Sequence, residues 1–396
     1  MAEIITFRKR KDIEADKTAD ARLVGLDALR GLSVMGMICV AYAGDWTHRF
    51  GVLNHADWHG LAVADLIFPA FLFCAGAVIP VSLARRSQDK GKGALAGHVV
   101  LRMVALFALG LFLNLLPGFD FAHVRIMGIL QRIALAYGAV SLFCLAVAKP
   151  DGGGVRIGVL PLFVAALVLG LGYEAVLHFW NMPGCGPHCF DSSHSLPTVI
   201  DRAVLTVPHM WPYGLTDGQV TYDPEGFLST LGAIVNVLIG AMAGLYVQQR
   251  GVKGAIGTLA LCGLALVIIG LGLDGSTPII KKIWTPSFAV YSAGTSLLFY
   301  ALLSLVTDVW NARAWATPLR VFGANATLAF VGITLLDVVA QLPLLAGKTI
   351  HDQGTAALEA VIPDARVASV TYSLILLLIL LAALWPLYSK RIFVKI

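Results

Sequence analysis

Residues 54–69 read NHADWHGLAVADLIFP. An imidazole beside a carboxylate is the smallest set of side chains that moves a proton at neutral pH. The ring changes charge near that pH, and the acid can hold its tautomer and stabilise its protonated form. Here His55, Asp57, His59 and Asp65 crowd into one short stretch at the mouth of an apolar run. Read as a continuous helix, the stretch puts His55 and His59 on one face, with Asp65 about two and a half turns deeper than His55. His55 is then the candidate general base and Asp65 its deeper partner. A metal centre would need a third convergent ligand, and the spacing is not HExxH. His59 is therefore read as a helix-entry residue, and no metal is assigned.

Other ionisable groups stand in apolar surroundings, where they cost several kcal/mol unless they face a partner, a water-filled cavity or a ligand. They are Asp27, Arg30, Arg102, Arg132 and Asp337, with the neutral polar residues Asn114, Asn236 and Asn325. Asp27 and Arg30 are three apart, so they either pair on one helix face or leave Arg30 to meet an anionic ligand. Gln131-Arg132 reads equally as a hydrogen-bonding pair to a neighbouring helix or as a ligand contact. Cys185 and Cys189 flank Gly-Pro-His in a polar loop. On an oxidising face that spacing favours a small disulfide ring over a zinc site with His188 and His194.

The elements that must position these groups are membrane helices. Of 396 residues, 58% are hydrophobic and only 13% charged, about half the charge of a soluble domain. Mean hydropathy is +0.79. A hydrocarbon core of about 30 Å takes about 20 apolar residues per helix. Ten spans fit that rule: 28–46, 61–84, 97–116, 125–148, 157–180, 226–248, 254–273, 285–307, 320–342 and 367–388. With the N-terminus inside, the inner connections hold nineteen Lys and Arg and the outer ones seven, so both termini are expected in the cytoplasm. The net charge of +5 comes from those basic connections and is not a nucleic-acid signature. The expected fold is all-α, a polytopic helix bundle. Residues 1–24 form a basic cytoplasmic arm without a signal-peptide core. Residues 25–396 form one transmembrane domain, and its Pro- and Gly-rich outer segment, 181–225, caps the outer face. The Trp46, Trp58, Trp180, Trp211 and Trp284 rings are expected in an interfacial belt.

Five blocks, in order, carry a family resemblance: LVGLDALRGLSVMGMI at 23–38, NHADWHGLAVADLIFPAFLF at 54–73, RIMGILQRIALAY at 125–137, YDPEGFLSTLGAI at 222–234 and KKIWTPSFAVYSAG at 281–294. Together they resemble the bacterial relatives of heparan-α-glucosaminide N-acetyltransferase. The resemblance implies a transmembrane acetyltransferase of the bacterial inner membrane. It would move an acetyl group from cytoplasmic acetyl-CoA to the amine of a periplasmic amino sugar or glycan. The family's proposed active-site histidine falls in the block matching NHADW, so that role passes to His55, and the acid of the following block is Asp65. The chain departs from the family in one place. Where relatives carry an Asn near the end of the first span, this sequence has Ala41. An oxyanion-hole donor of that kind is worth about 3–4 kcal/mol, and Tyr42, Asn54 and Asn114 are the candidate replacements.

The reading implies a tunnel for the pantetheine arm, because polar groups at membrane depth are tolerated only where they line a cavity. Arg30, Arg132 and Asn114 are assigned to the donor. Trp58, Asp57 and Glu225 are assigned to the acceptor, with Trp58 able to stack on a sugar. The expected partners are lipid, acetyl-CoA and the acceptor, with no nucleic acid; a homo-oligomer is among the states the sequence allows. The rival reading is a transporter of amino sugars that uses His55 and Asp65 as a proton relay. Transporters often carry paired repeats, and no repeat is evident here.

Overall fold

The structure is a computed structural model that describes residues 23–343 and 347–394. The basic arm, 1–24, lies almost wholly outside the described residues. Apolar runs of the predicted length form helices because the bilayer leaves backbone groups no partner but their own chain. The helices are α1 (Val24–Ala41), α2 (Ile67–Arg86), α3 (Lys92–Leu115), α4 (Ile129–Val147), α5 (Val159–Phe179), α6 (Leu196–Leu205), α7 (Thr230–Leu273), α8 (Pro286–Ser304), α9 (Thr317–Ala324), α10 (Ala326–Ala340), α11 (Ile350–Val361) and α12 (Ala365–Ser389). Two short antiparallel hairpins complete the fold: Lys149–Asp151 with Gly154–Arg156, and Leu215–Thr216 with Gln219–Val220.

Eight of the described helical stretches are long and apolar enough to cross a membrane. One of them, α7, has 44 residues. As a straight rod it would run about 66 Å, twice the hydrocarbon core. It does not run straight. Gly251 has φ 68 and ψ 161, a conformation only glycine adopts readily. Tyr246 and Thr258 are twelve residues apart, about 18 Å of rise along a continuous helix, yet their hydroxyls meet at 3.0 Å. The chain therefore reverses at Gly251, and α7 is two spans, as the runs 226–248 and 254–273 predict. The run 320–342 is broken instead. Here α9 and α10 meet at 86°, and the Asn325 side chain at the break donates to the Ile392 carbonyl and accepts from the Val394 amide. With α7 split and the α9–α10 pair taken as one span, the described residues hold ten.

The chain divides into two compact units. The first comprises residues up to 55, 62–71 and 303 onward. Its core joins α1 to α9, α10 and α12 through Val34, Ile38, Phe322, Ile333, Leu376 and Leu380. The Asp308 carboxylate, from the single π-helical turn Leu305–Val309, accepts the Val24 and Gly25 amides at 3.1 and 2.8 Å. It thereby caps the start of α1, where a negative charge meets the positive helix end.

The second unit comprises 56–61 and 72–302. Its centre is polar as well as apolar. Trp284 is fully buried, donates to the Asn236 side chain at 2.9 Å and lies under the Arg132 guanidinium, 4.9 Å from the ring centroid. This corrects the expectation of a five-member tryptophan belt. Trp46 and Trp180 are exposed as a belt requires, but Trp284 is inside, because its indole N–H has a buried acceptor and its face a buried cation.

Candidate active site

The stretch 54–66 is not the helix its spacing suggests. A single 3-10 turn, Gly51–Leu53, leads into extended and bent chain through 62, and a second 3-10 turn, Val63–Leu66, opens α2. Gly60, with φ +96, makes the reversal, and its amide donates to the Ile279 carbonyl at 2.9 Å. His55 and Asp65 are therefore not stacked at different depths. The loop folds back and brings His55 Nδ1 to 2.7 Å from Asp65 Oδ1, both residues lying in the first unit. The second carboxylate oxygen accepts the Ala62 amide at 2.8 Å. Asp65 thus closes the mouth of α2 and holds the ring at the same time. Its side chain is wholly buried, while that of His55 is 37% exposed. With Nδ1 donating to the carboxylate, the neutral imidazole carries its basic lone pair on Nε2. His59 lies exposed in the same bent loop, and the helical face it was expected to share with His55 does not exist.

Elsewhere in the first unit, Ala41 is the exposed last residue of α1. Tyr42 turns its hydroxyl to Thr334 Oγ1 at 3.1 Å. Arg30 pairs with Asp27 at 3.4 Å and donates to the Gly323 carbonyl; its side chain keeps 19% exposure.

In the second unit the Trp58 indole donates to the Phe190 carbonyl at 2.7 Å and packs edge-on against Tyr222, 5.0 Å between ring centres. Lys282 donates to the Asp57 carbonyl and to the Tyr222 hydroxyl. Trp58 and Asp57 are thus gathered onto the 222–225 turn. Glu225 belongs to that turn, but its carboxylate is engaged. Arg125 reaches Asp223 through two nitrogens, at 2.9 and 2.5 Å, and Glu225 at 2.5 Å. Asp223 also accepts the Trp211 amide. Burial opposes the Arg125 charge, and the two carboxylates more than offset it, raising its pKa above the ordinary value. Burial likewise opposes the Glu225 charge, and Arg125 leads the cations that hold its pKa below the usual range. Sequence reasoning missed this triad. A hundred residues separate its halves, and only the charges at the heads of RIMGILQR and YDPEG hinted at it.

Arg132 and Asn114 have structural partners of their own. Arg132 is fully buried and donates to the Gly226 carbonyl and Ser229 Oγ. Asn114 donates to the Arg125 carbonyl at 2.8 Å. Each fixes a segment next to the triad.

Cys185 and Cys189 are joined by a disulfide, as their spacing suggests. Nearby, Asp201 on α6 is almost wholly buried and accepts the Phe227 amide at 2.7 Å. Burial, reinforced by Asp223, pushes its pKa from 3.8 up to about 7. A raised carboxyl pKa means the folded state resists ionisation. The penalty is absent below pH 4, grows between pH 4 and 7 and is constant above, where it reaches about 4 kcal/mol. Asp201→Asn keeps an acceptor for Phe227 and removes the charge. The predicted result is a higher melting temperature than wild type at pH 8 and little difference at pH 4. An offset that does not change across this range would rule the burial account out.

A sequence profile described as heparan-alpha-glucosaminide N-acetyltransferase, catalytic, matches residues 22–270, a range that holds both His55–Asp65 and the Arg125 triad. The chain is 29% identical over 352 residues to heparan-alpha-glucosaminide N-acetyltransferase of Homo sapiens, covering 78% of this chain and 52% of the relative. The Mus musculus protein of the same name is 28% identical over 370 residues, covering 82% and 55%. The chain spans about half the length of the curated relatives it matches.

Proposed function

Because the chain belongs to the heparan-alpha-glucosaminide N-acetyltransferase family, we propose that it is a transmembrane N-acetyltransferase that passes an acetyl group from acetyl-CoA to the amine of an amino sugar or glycan. The observation that carries the reading is the Asp65–His55 pair, with a buried carboxylate on Nδ1 and a partly exposed ring. An amine attacks a thioester only when unprotonated. His55 Nε2 accepts the amine's proton as its nitrogen bonds to the acetyl carbon. The tetrahedral centre then collapses, the C–S bond breaks, and the same nitrogen returns the proton to the departing thiolate. Asp65 stabilises the imidazolium between these events and remains ionised. Direct attack suffices, and no acetyl-histidine is required.

We assign Arg30, the partly exposed cation in the first half of α1, to the donor's phosphates. Arg132 and Asn114 act as positioning residues for the segments around 226 and 125. Trp58 and Asp57 remain the acceptor contacts, because an aromatic face takes the apolar side of a sugar ring. Glu225 contributes through Arg125. The proposed location is a bacterial inner membrane, with both described ends of the chain in the cytoplasm and the disulfide loop on the oxidising side.

The test uses purified protein in detergent with acetyl-labelled acetyl-CoA and a panel of amino sugars headed by glucosamine. Labelled N-acetyl product with stoichiometric CoA release is the expected result. No transfer across the panel, together with saturable amino-sugar uptake into proteoliposomes, would establish the transporter instead.

A further inference from the structure

A second polar site lies within the second unit, on the opposite ends of its helices from the Arg125 triad. The second half of α2, the first half of α3 and the middle of α4 line a cavity of about 40 Å³, close to three times what one water needs. Its polar lining is Ser82, Arg86, His98, Arg102, Tyr137 and Ser141. Two cations and an imidazole face it, and the lining includes no carboxylate. Arg102 lies ten residues, about 15 Å, inside α3. Its guanidinium rests on the Tyr137 ring, 4.7 Å from the centroid. Among the described residues, its buried Nε has no hydrogen-bond partner. Ser141 is wholly buried, and its hydroxyl also lacks a partner there.

An arginine at that depth is costly unless something answers its charge, and a ring face supplies no hydrogen-bond acceptor. What this lining lacks is a compact anion with several acceptor oxygens. Phosphate esters have that form, and guanidinium groups bind them by charge-assisted bonds. Lys90 and Lys92 stand at the junction of α2 and α3, at the same helix ends as Arg86. Two phosphate esters reach such a place, a phospholipid headgroup from the bilayer and the phosphates of CoA from the aqueous side.

We propose that Arg86, His98 and Arg102, with Ser141 at the base, form a phosphate-ester binding site. The inference stands apart from the transferase reading, because either source of phosphate fills the site.

The test is native mass spectrometry of the full chain in detergent with three separate probes: dioctanoyl phosphatidylglycerol, CoA, and dioctanoylglycerol as the phosphate-free control. Saturable binding of at least one phosphate probe and none of the control is expected. Arg102→Gln and Arg86→Gln should each weaken it about tenfold, the loss of one charge-assisted bond. Arg86 is partly exposed at a helix end, so its variant carries the test even where Arg102→Gln fails to fold. Binding of phosphatidylglycerol that CoA does not displace identifies a lipid site; CoA binding that Arg86→Gln weakens identifies a site for CoA phosphates here, apart from Arg30. The proposal fails if neither phosphate probe binds, if the control binds as well, or if Arg86→Gln leaves binding unchanged.

Discussion

Replacing His55 with alanine is expected to lower acetyl transfer by about 10²–10⁴-fold, the usual contribution of a positioned acid–base group, with the melting temperature little changed. The ring is 37% exposed, so its removal opens no sealed core. Asp65→Asn is the sharper companion. It keeps the shape and can still bond to Nδ1, but it cannot stabilise the imidazolium, and its amide can reverse the tautomer and place the proton on Nε2. A loss of transfer comparable to that of His55→Ala is expected, with some loss of stability as well, because Asp65 also holds the Ala62 amide. The measurement is CoA thiol release under saturating donor and acceptor, alongside a melting curve. Undiminished turnover in His55→Ala would remove the pair from the mechanism.

The largest effect on stability is expected at Arg125. Its side chain is 19% exposed, against 0% for Asp223 and 8% for Glu225. Arg125→Met would remove the cation that bonds directly to both buried carboxylates, at a cost of about 3–5 kcal/mol. Arg125→Lys should fall between, since an ammonium cannot reproduce the fork that meets Asp223 through two nitrogens. Combining Arg125→Met with Asp223→Asn and Glu225→Gln should recover most of the loss, because neutral side chains bear burial far better than ions. Thermal unfolding in detergent, read for all three variants, decides it. Equal melting temperatures for wild type and Arg125→Met would mean that water, not protein, solvates the carboxylates.

The parts of this molecule that hydropathy governs were readable from residue order. All ten apolar runs return as helices, including the closely spaced pair at 226–273, since the bilayer leaves an apolar segment little alternative. What failed was the short polar stretch before α2. Spacing of four between His55 and His59 looks helical, but a stretch bounded by Asn54 and Gly60, with few apolar residues, has nothing to bury one face against. It closes as a loop instead, and the two ends meet at 2.7 Å. Both members of the His55–Asp65 pair were therefore legible from residue type, while the loop geometry that joins them was not. The Asp27–Arg30 contact was legible because three residues fix it. The Arg125 triad and the Arg132–Trp284 stack were not, because each joins segments about a hundred or more residues apart. No local period records such a pairing.

The hairpin at Gly251 has a consequence for sidedness. One crossing more or fewer inverts everything downstream of it. Were the chain to run on through residue 251 without turning, α8 to α12 would be threaded in the opposite sense, and the two described ends would emerge in different compartments. A single left-handed glycine, with the Tyr246–Thr258 contact beside it, keeps the crossing number even. On the proposed ten-span threading, the end of α12 thus returns to the compartment in which α1 starts.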